Sequence, residues 1–518
     1  MARPNIVLIC ADDIGFNEIG LLQGRGLPDR DVFGGARVLT PHIDAIGRAG
    51  ATLLRHYVPS AICTPARYSL LTGRFASRSP SIVQSFPPPR PATITWNTAI
   101  DPQEGTVGNV LQNLGYTTGF VGKWHNGEPK AELAAVAGIG DGRDPRLVAA
   151  VRESYARRVN YLRAGFGFDF VERVYFGNRE GFPEPYQVHN LEWLCEGAEK
   201  FLDARAAEPS RPFYLHLAFS APHGDYFNAP HRADPLLTPA GPLDAAPRTL
   251  MPPRESIEPR LAAAGVDAKT VMATWQDDCV GAVVEKLRRL GLDQNTIVIF
   301  TGDHLGRGKY MCYEGCRVPF LIRWPVGIPA GRELTRITSH IDLCATLAGF
   351  AGGAVPPDYV TDGADFSPLL TAPVDSATAA PAWRDQLLLE CSNIRGLVTD
   401  RWKYIACRAS ADVLAALEAD RLAAVAEGRP RWVGWEGKRN PHPQYRTEGV
   451  RYFDCGRFEN YFAADQLYDL QADVFETRNL AGDPAHAQTL ARMQAGLRAE
   501  LAKLPHAFGE FTPANRRR

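Results

Sequence analysis

Five short runs of apolar residues recur along the chain, at 5–11, 117–122, 213–219, 296–301 and 318–324. Val, Ile, Leu and Phe fill them with little polar alternation. Such runs predict strands covered on both faces, as in a parallel sheet. Helical periodicity over 106–114, 191–206 and 271–290 places helices between them. Strand and helix in alternation predict an α/β fold, a large mainly parallel sheet sandwiched by helices. A stretch rich in Ala, Thr and Pro at 371–382 reads as a linker. Beyond it, runs at 387–391, 396–399 and 403–406 have hairpin spacing, and 485–504 is helical. They predict a smaller C-terminal α+β subdomain with an antiparallel sheet. The expected division is a catalytic α/β domain at 1–382 and the subdomain at 383–518. The Pro-rich stretch 79–102, with Pro87-Pro88-Pro89, and the stretches 138–145 and 230–259 read as loops.

Composition narrows the function classes. The 518 residues are 45% hydrophobic and 22% charged, with 57 basic and 58 acidic residues and a formal net charge of −1. That balance gives no bulk attraction to nucleic acid or to a membrane, and Arg516-Arg517-Arg518 reads as a solvated tail. No apolar run approaches spanning length. The N-terminal run ends early in Asp12-Asp13, which is not the pattern of a secretory signal. The ten cysteines contain no Cys-x-x-Cys pair. The expectation is a soluble cytoplasmic protein with mostly reduced thiols.

The chemistry collects where strands end. Parallel sheets bind ligands beyond the carboxyl ends of their strands. Here those ends deliver Asp12-Asp13, Lys123-Trp124-His125, Pro222-His223 and Asp303-His304. Asp12, Asp13, Asp303 and His304 form a candidate metal site, because three crowded carboxylates repel unless a cation neutralises them. Their oxygens favour calcium, magnesium or manganese. Arg67, Lys123, His125, His223 and Lys309 form a cationic, proton-bearing set suited to an anionic ester. His42 and His216 read as structural.

One segment is more specific. Cys63-Thr64-Pro65-Ala66-Arg67 runs into Leu70-Leu71-Thr72-Gly73-Arg74. Pro65 suits the first turn of a helix and Gly73 its end, so residue 63 is predicted at a helix N-terminus, where an anion is favoured. The segment resembles the signature of the sulfatase family, in the alkaline phosphatase superfamily. That resemblance implies oxidation of Cys63 to formylglycine, whose hydrate is the nucleophile, by a formylglycine-generating enzyme. Gly122-Lys123-Trp124-His125, Pro222-His223, Gly308-Lys309 and Leu467-Tyr468-Asp469-Leu470 are similar to further elements of that family. The resemblance implies one divalent ion, calcium first, on Asp12, Asp13, Cys63, Asp303 and His304. It places Cys63, Arg67, Lys123, His125, His223 and Lys309 in the catalytic set. It runs from about Asn5 to Pro484 and is thinnest over 127–208 and 225–269.

The expected activity is hydrolysis of a small aryl or carbohydrate sulfate monoester. A phosphonate monoester hydrolase or phosphodiesterase with the same layout stays open, as does an inactive binding relative. Direct attack by Thr64 is disfavoured by the Cys63 signature. Tyr175, Asn178, His189, Asn190 and Trp193 are either a sugar subsite or core and surface residues. The sequence leaves the oligomeric state open.

Overall fold

The computed structural model describes residues 3–27, 33–223, 230–305, 311, 315–372, 382–408, 422, 426, 460 and 463–508. Its main sheet has eight strands, in the spatial order Arg332–Leu334, Ala51–Leu53, Phe320–Arg323, Thr296–Gly302, Asn5–Ala11, Phe213–Ala218, Thr117–Lys123, Phe170–Tyr175. The last five run parallel. Phe320–Arg323 is antiparallel to both of its neighbours, and Arg332–Leu334 runs parallel to Ala51–Leu53. The sheet is therefore mixed, with one strand reversed.

Burial on both faces explains the unbroken apolar runs. In Asn5–Ala11, Ile6, Leu8 and Cys10 enter one core, while Val7, Ile9 and Ala11 enter the other. Ile297 and Ile299 face the first core, and Val298 and Phe300 the second. Each Val, Leu, Ile or Phe side chain among them, fully removed from water, contributes roughly 1.5–3 kcal/mol. The first core is covered by Val107–Asn113 and Leu343–Phe350. The second is covered by Pro41–Arg48, Leu191–Ala206 and Val271–Arg289. Thr106 and Asn190 cap their helices by accepting from the N–H groups of Gly108 and Trp193.

The run at 318–324 divides at Pro319, which has no N–H for a ladder. Arg317–Val318 joins a three-stranded sheet with His56–Tyr57 and Thr338–Ser339, and Phe320–Arg323 joins the main sheet. Ala51–Leu53, Phe170–Tyr175 and Arg332–Leu334 are main-sheet strands that the pattern of apolar runs did not mark. The 21-residue helix Pro145–Gly165 was not marked either. The expected loop at 230–259 contains a two-residue hairpin, Leu237–Thr238 with Gly241–Pro242, and the start of the helix Ile257–Ala263. Most of the expected linker, 373–381, lies outside the described residues, as does the basic tail.

The C-terminal sheet is an antiparallel array of Gln386–Cys391, Ile394–Thr399, Trp402–Cys407 and Asp465–Asp469. Helix Ala487–Leu501 packs on it through Met493 and Leu497. The same apolar cluster takes in Tyr57, Ile62, Ala66, Met311 and Val318. This sheet thus shares a core with the segment that carries Cys63. No described helix is long and apolar enough to cross a membrane.

Candidate active site and metal centre

Four adjacent parallel strands end side by side, in the order Thr296–Gly302, Asn5–Ala11, Phe213–Ala218, Thr117–Lys123. They bring Asp303-His304, Asp12-Asp13, His223 and Lys123 to one edge. Opposite them, Cys63 opens the helix Cys63–Thr72, and Gly73 ends it in the left-handed conformation at φ 71°. Every residue of this helix is buried, not only one face of it.

Asp12, Asp13, Cys63 and His304 each offer a ligand atom, and all four atoms lie within 4.8 Å of one another. His304 Nε2 is 2.6 Å from Asp13 Oδ1 and 3.1 Å from Cys63 Sγ. Its Nδ1 lies 3.0 Å from the carbonyl of Leu305, which fixes the ring. Asp303 stands beside this group, with Oδ1 3.8 Å from His304 Nε2. That oxygen accepts the Asp13 N–H at 3.0 Å, and Oδ2 accepts Arg67 Nε at 3.0 Å.

The cations are as deeply placed as the acids. Arg67 Nη1 donates to the Lys123 carbonyl at 3.1 Å, and Nη2 lies 3.8 Å from Asp12 Oδ2. Lys123 Nζ donates to Asp12 Oδ2 and, at 2.6 Å, to Asn178 Oδ1. His223 Nε2 is 3.7 Å from Asp13 Oδ2. Burial alone raises the Asp12 carboxyl, but Lys123, His223 and Arg67 outweigh it and hold the group well below the usual carboxylate range. Burial and the charge of Asp12 push Asp303 upward. Burial and the Lys123 ammonium push His125 well below its ordinary value, so its ring is neutral near pH 7.

The site fits a bound cation. Asp12 Oδ1 is buried without a hydrogen-bond partner among the described residues, as is Arg67 Nη2. A fully enclosed carboxylate oxygen is costly to leave unmatched. The donors are two carboxylates, an imidazole and residue 63, with a third carboxylate alongside. Such a set suits a divalent metal.

The backbone is bent to make this arrangement. Asp13 and His125 hold φ of 64° and 59°, uncommon for residues with a side chain. Gly122, at φ 106°, lets the Lys123 strand lie against its neighbour, and a Cβ there would stand 1.8 Å from the Ala218 carbonyl oxygen.

Lys309 lies outside the described residues. Of the variable-stretch candidates, Asn178 accepts from the Lys123 ammonium of the charged cluster. Tyr175 and Trp193 are core residues, and Asn190 is a helix cap. His189 is buried, with Nδ1 2.9 Å from Ser220 Oγ and Nε2 3.2 Å from the His223 carbonyl, so it braces the turn carrying His223. Asn126 went unread from sequence. It donates to the Thr64 carbonyl at 2.8 Å, tying the loop after Lys123 to the first turn of the Cys63 helix. His216, read as structural, is buried within its strand, stacked on Phe120 and 2.9 Å from the Tyr214 hydroxyl.

Comparison with known proteins shows the family. The sulfatase family model matches residues 4–354. Steryl-sulfatase of Rattus norvegicus is 27% identical over 448 residues, covering 71% of this chain and 70% of its own. Arylsulfatase A of Homo sapiens is 27% identical over 412 residues, covering 74% and 72%. An ulvan-active sulfatase of Formosa agariphila is 23% identical over 523 aligned positions, covering 98% and 82%. A solved structure concerned with glycosaminoglycan metabolism in Bacteroides thetaiotaomicron superposes with a TM-score of 0.59 and 19% identity, covering 97% of this chain and 100% of that one. The chain belongs to the sulfatase family, a family of sulfuric ester hydrolases.

Proposed function

We propose that the enzyme hydrolyses a sulfate monoester through a formylglycine made from Cys63. The observation that carries this reading is the position of Cys63. It opens a buried helix, 3.1 Å from His304 and within one ligand cluster with Asp12 and Asp13. Arg67, one helical turn on, ties that helix to Asp303.

Asp12, Asp13, His304 and residue 63 would hold the divalent ion, with Asp303 beside them. A thiol is a poor partner for a hard cation, whereas an aldehyde hydrate offers oxygen. Oxidation at Cys63 therefore improves the match to calcium. When bound, the ion supplies positive charge that polarises the ester and the nucleophilic oxygen.

The chain's own groups carry the remaining work. Lys123 and Arg67 neutralise charge on the sulfuryl oxygens as the ester bond breaks. One hydroxyl of the hydrated residue 63 attacks sulfur, and the alcohol leaves with its oxygen. His223, at the same edge, delivers the proton that oxygen needs. His125 is neutral, and its Nδ1 has no hydrogen-bond partner among the described residues. It accepts the proton from the second hydroxyl, and sulfate departs as the aldehyde re-forms. Lys309 completes the cationic set in this reading.

Aryl and carbohydrate sulfates are the substrate classes to test. The ulvan-active relative, aligned over 98% of this chain, supports the carbohydrate class. The decisive assay compares kcat/KM for matched aryl sulfate, phosphodiester and phosphonate esters and a panel of sulfated sugars. Sulfates are expected to lead. Phosphorus esters ahead by orders of magnitude replace this reading with the phosphonate or phosphodiester one. Mass spectrometry of the peptide containing Cys63 checks the aldehyde.

A further inference from the structure

Strand Phe170–Tyr175 carries one residue more than its neighbour. It pairs in register with Thr117–Lys123 as far as Val121 with Glu172, and the next pair is Gly122 with Val174. Arg173 is the extra residue, and it holds φ of 54°. A bulge of this kind re-aims the chain that follows it. Helix Leu191–Ala206 holds the bulge in place. Arg173 Nη2 donates to Glu196 Oε2, and the guanidinium lies over the Trp193 ring. Gly197 makes room for the side chain, since a Cβ there would stand 2.6 Å from Arg173 Cδ.

Beyond the bulge the chain runs alongside Lys123, Trp124 and His125. The Tyr175 carbonyl accepts the Trp124 N–H at 2.8 Å. A Cβ at Gly177 would stand 3.7 Å from His125 Cδ2, in ordinary contact with the ring. Asn178 meets Lys123, with Oδ1 2.6 Å from Nζ. An ammonium has three N–H donors and no acceptor, so the amide must face it with its oxygen. One N–H goes to Asp12 Oδ2 and a second to Asn178 Oδ1. The third has no partner among the described residues. Lys123 is 1% exposed, so that N–H is not given over to bulk water. Held by Asp12 alone, the ammonium could rotate about one contact. Two acceptors leave the third N–H a single direction.

We infer that Asn178 is a positioning residue for catalysis: its side-chain oxygen turns the Lys123 ammonium so that the third N–H is presented to the sulfuryl group. This rests on the catalytic reading of Lys123 given above. The bulge at Arg173 is what brings Asn178 to Lys123. Removing the extra residue would draw the following chain back by one position, roughly 3.3 Å, and turn the strand residues after it to the opposite face.

The test is a double-mutant cycle on the full-length enzyme, with whichever ester it turns over best. Asn178→Leu keeps the bulk of the side chain and removes its oxygen. It is made alone and together with Lys123→Met. Urea unfolding reports the fold, and rates are taken per folded molecule. Asn178→Leu alone is expected to keep the urea midpoint and to lower kcat/KM by about tenfold to a hundredfold. In the Lys123→Met background the same change is expected to cost less than twofold. Asn178→Ala is expected to repeat this pattern should the leucine variant fail to fold. Full activity in a folded Asn178 variant overturns the inference. An equal loss in both backgrounds also overturns it, because a residue that only shapes the loop does not depend on the ammonium. A Lys123→Met enzyme as active as its parent removes the catalytic reading of Lys123 and this inference with it.

Discussion

Two groups of buried charges can be set side by side. At the catalytic edge, Asp12, Asp13, Asp303, Arg67 and Lys123 crowd together, and Asp12 Oδ1 and Arg67 Nη2 still have no hydrogen-bond partner among the described residues. In the C-terminal sheet, Lys403 binds Glu476 and a backbone carbonyl at normal distances. Both groups are buried, so burial does not separate them. What separates them is charge balance. Lys403 and Glu476 form a closed pair, one cation with one anion, whereas the first cluster is open: three carboxylates outnumber Arg67 and Lys123, and Asp12, Asp13, Cys63 and His304 converge their ligand atoms within 4.8 Å. Converging buried carboxylates in excess of the cations beside them mark a binding site more reliably than a buried charge does.

This contrast can be broken by exchanging the expected outcomes. Cys63→Ala belongs to the open cluster. It is expected to lower kcat/KM by at least about 10³-fold, with a urea midpoint close to the parent's. Retained activity would place the nucleophile elsewhere. Glu476→Ala belongs to the closed pair and strands Lys403 without its partner. It is expected to destabilise the fold by about 3–5 kcal/mol, read from urea unfolding. A loss below about 1 kcal/mol would mean that water or another group replaces the carboxylate.

A smaller effect reaches outward from the open cluster. Burial, followed by the Arg67 charge, lowers His216 and His340 to about 3. Unfolded histidine titrates near 6.5. Between these values the unfolded chain binds more protons, so stability falls as pH falls. Each histidine is expected to cost about 2 kcal/mol between pH 7 and pH 5. Urea unfolding at the two pH values measures the total. His216→Gln should flatten the dependence, and an unchanged slope would assign the acid sensitivity to other groups.

The readable parts of the molecule were those in which one residue type answers one local demand. Asn5–Ala11 and Thr296–Gly302 are buried on both faces, so their sequences are apolar throughout and the acids that follow stand out. The edge strands carry no such mark. Phe170–Tyr175 includes Glu172 and Arg173, and Ala51–Leu53 and Arg332–Leu334 have three residues each. Helix Pro145–Gly165 buries only five of its residues, so its apolar stripe is thin. Pro319 was the visible signal that 318–324 could not be one strand. At the site, charged residues that end strands could be picked out, because parallel topology gathers strand ends. Asn126 could not, and Asn178 and His189 were marked only as either sugar-subsite or core and surface residues. Their roles depend on which distant atoms lie opposite them, and nothing in their own neighbourhood in the chain encodes that. The Lys403–Glu476 pair, 73 positions apart, is the same case.

The enclosure of Cys63 also sets an order in time. Its thiol is fully shielded, in a helix buried on every side. An oxidising enzyme cannot reach that sulfur once the helix has packed. On the proposed formylglycine reading, conversion would belong to the interval before folding closes around residue 63, and a molecule that folds first would be locked out of activity. Native protein incubated with a formylglycine-generating enzyme should stay unconverted, whereas the same protein held unfolded should react. On that reading, the yield of active enzyme would be set by a race between maturation and folding.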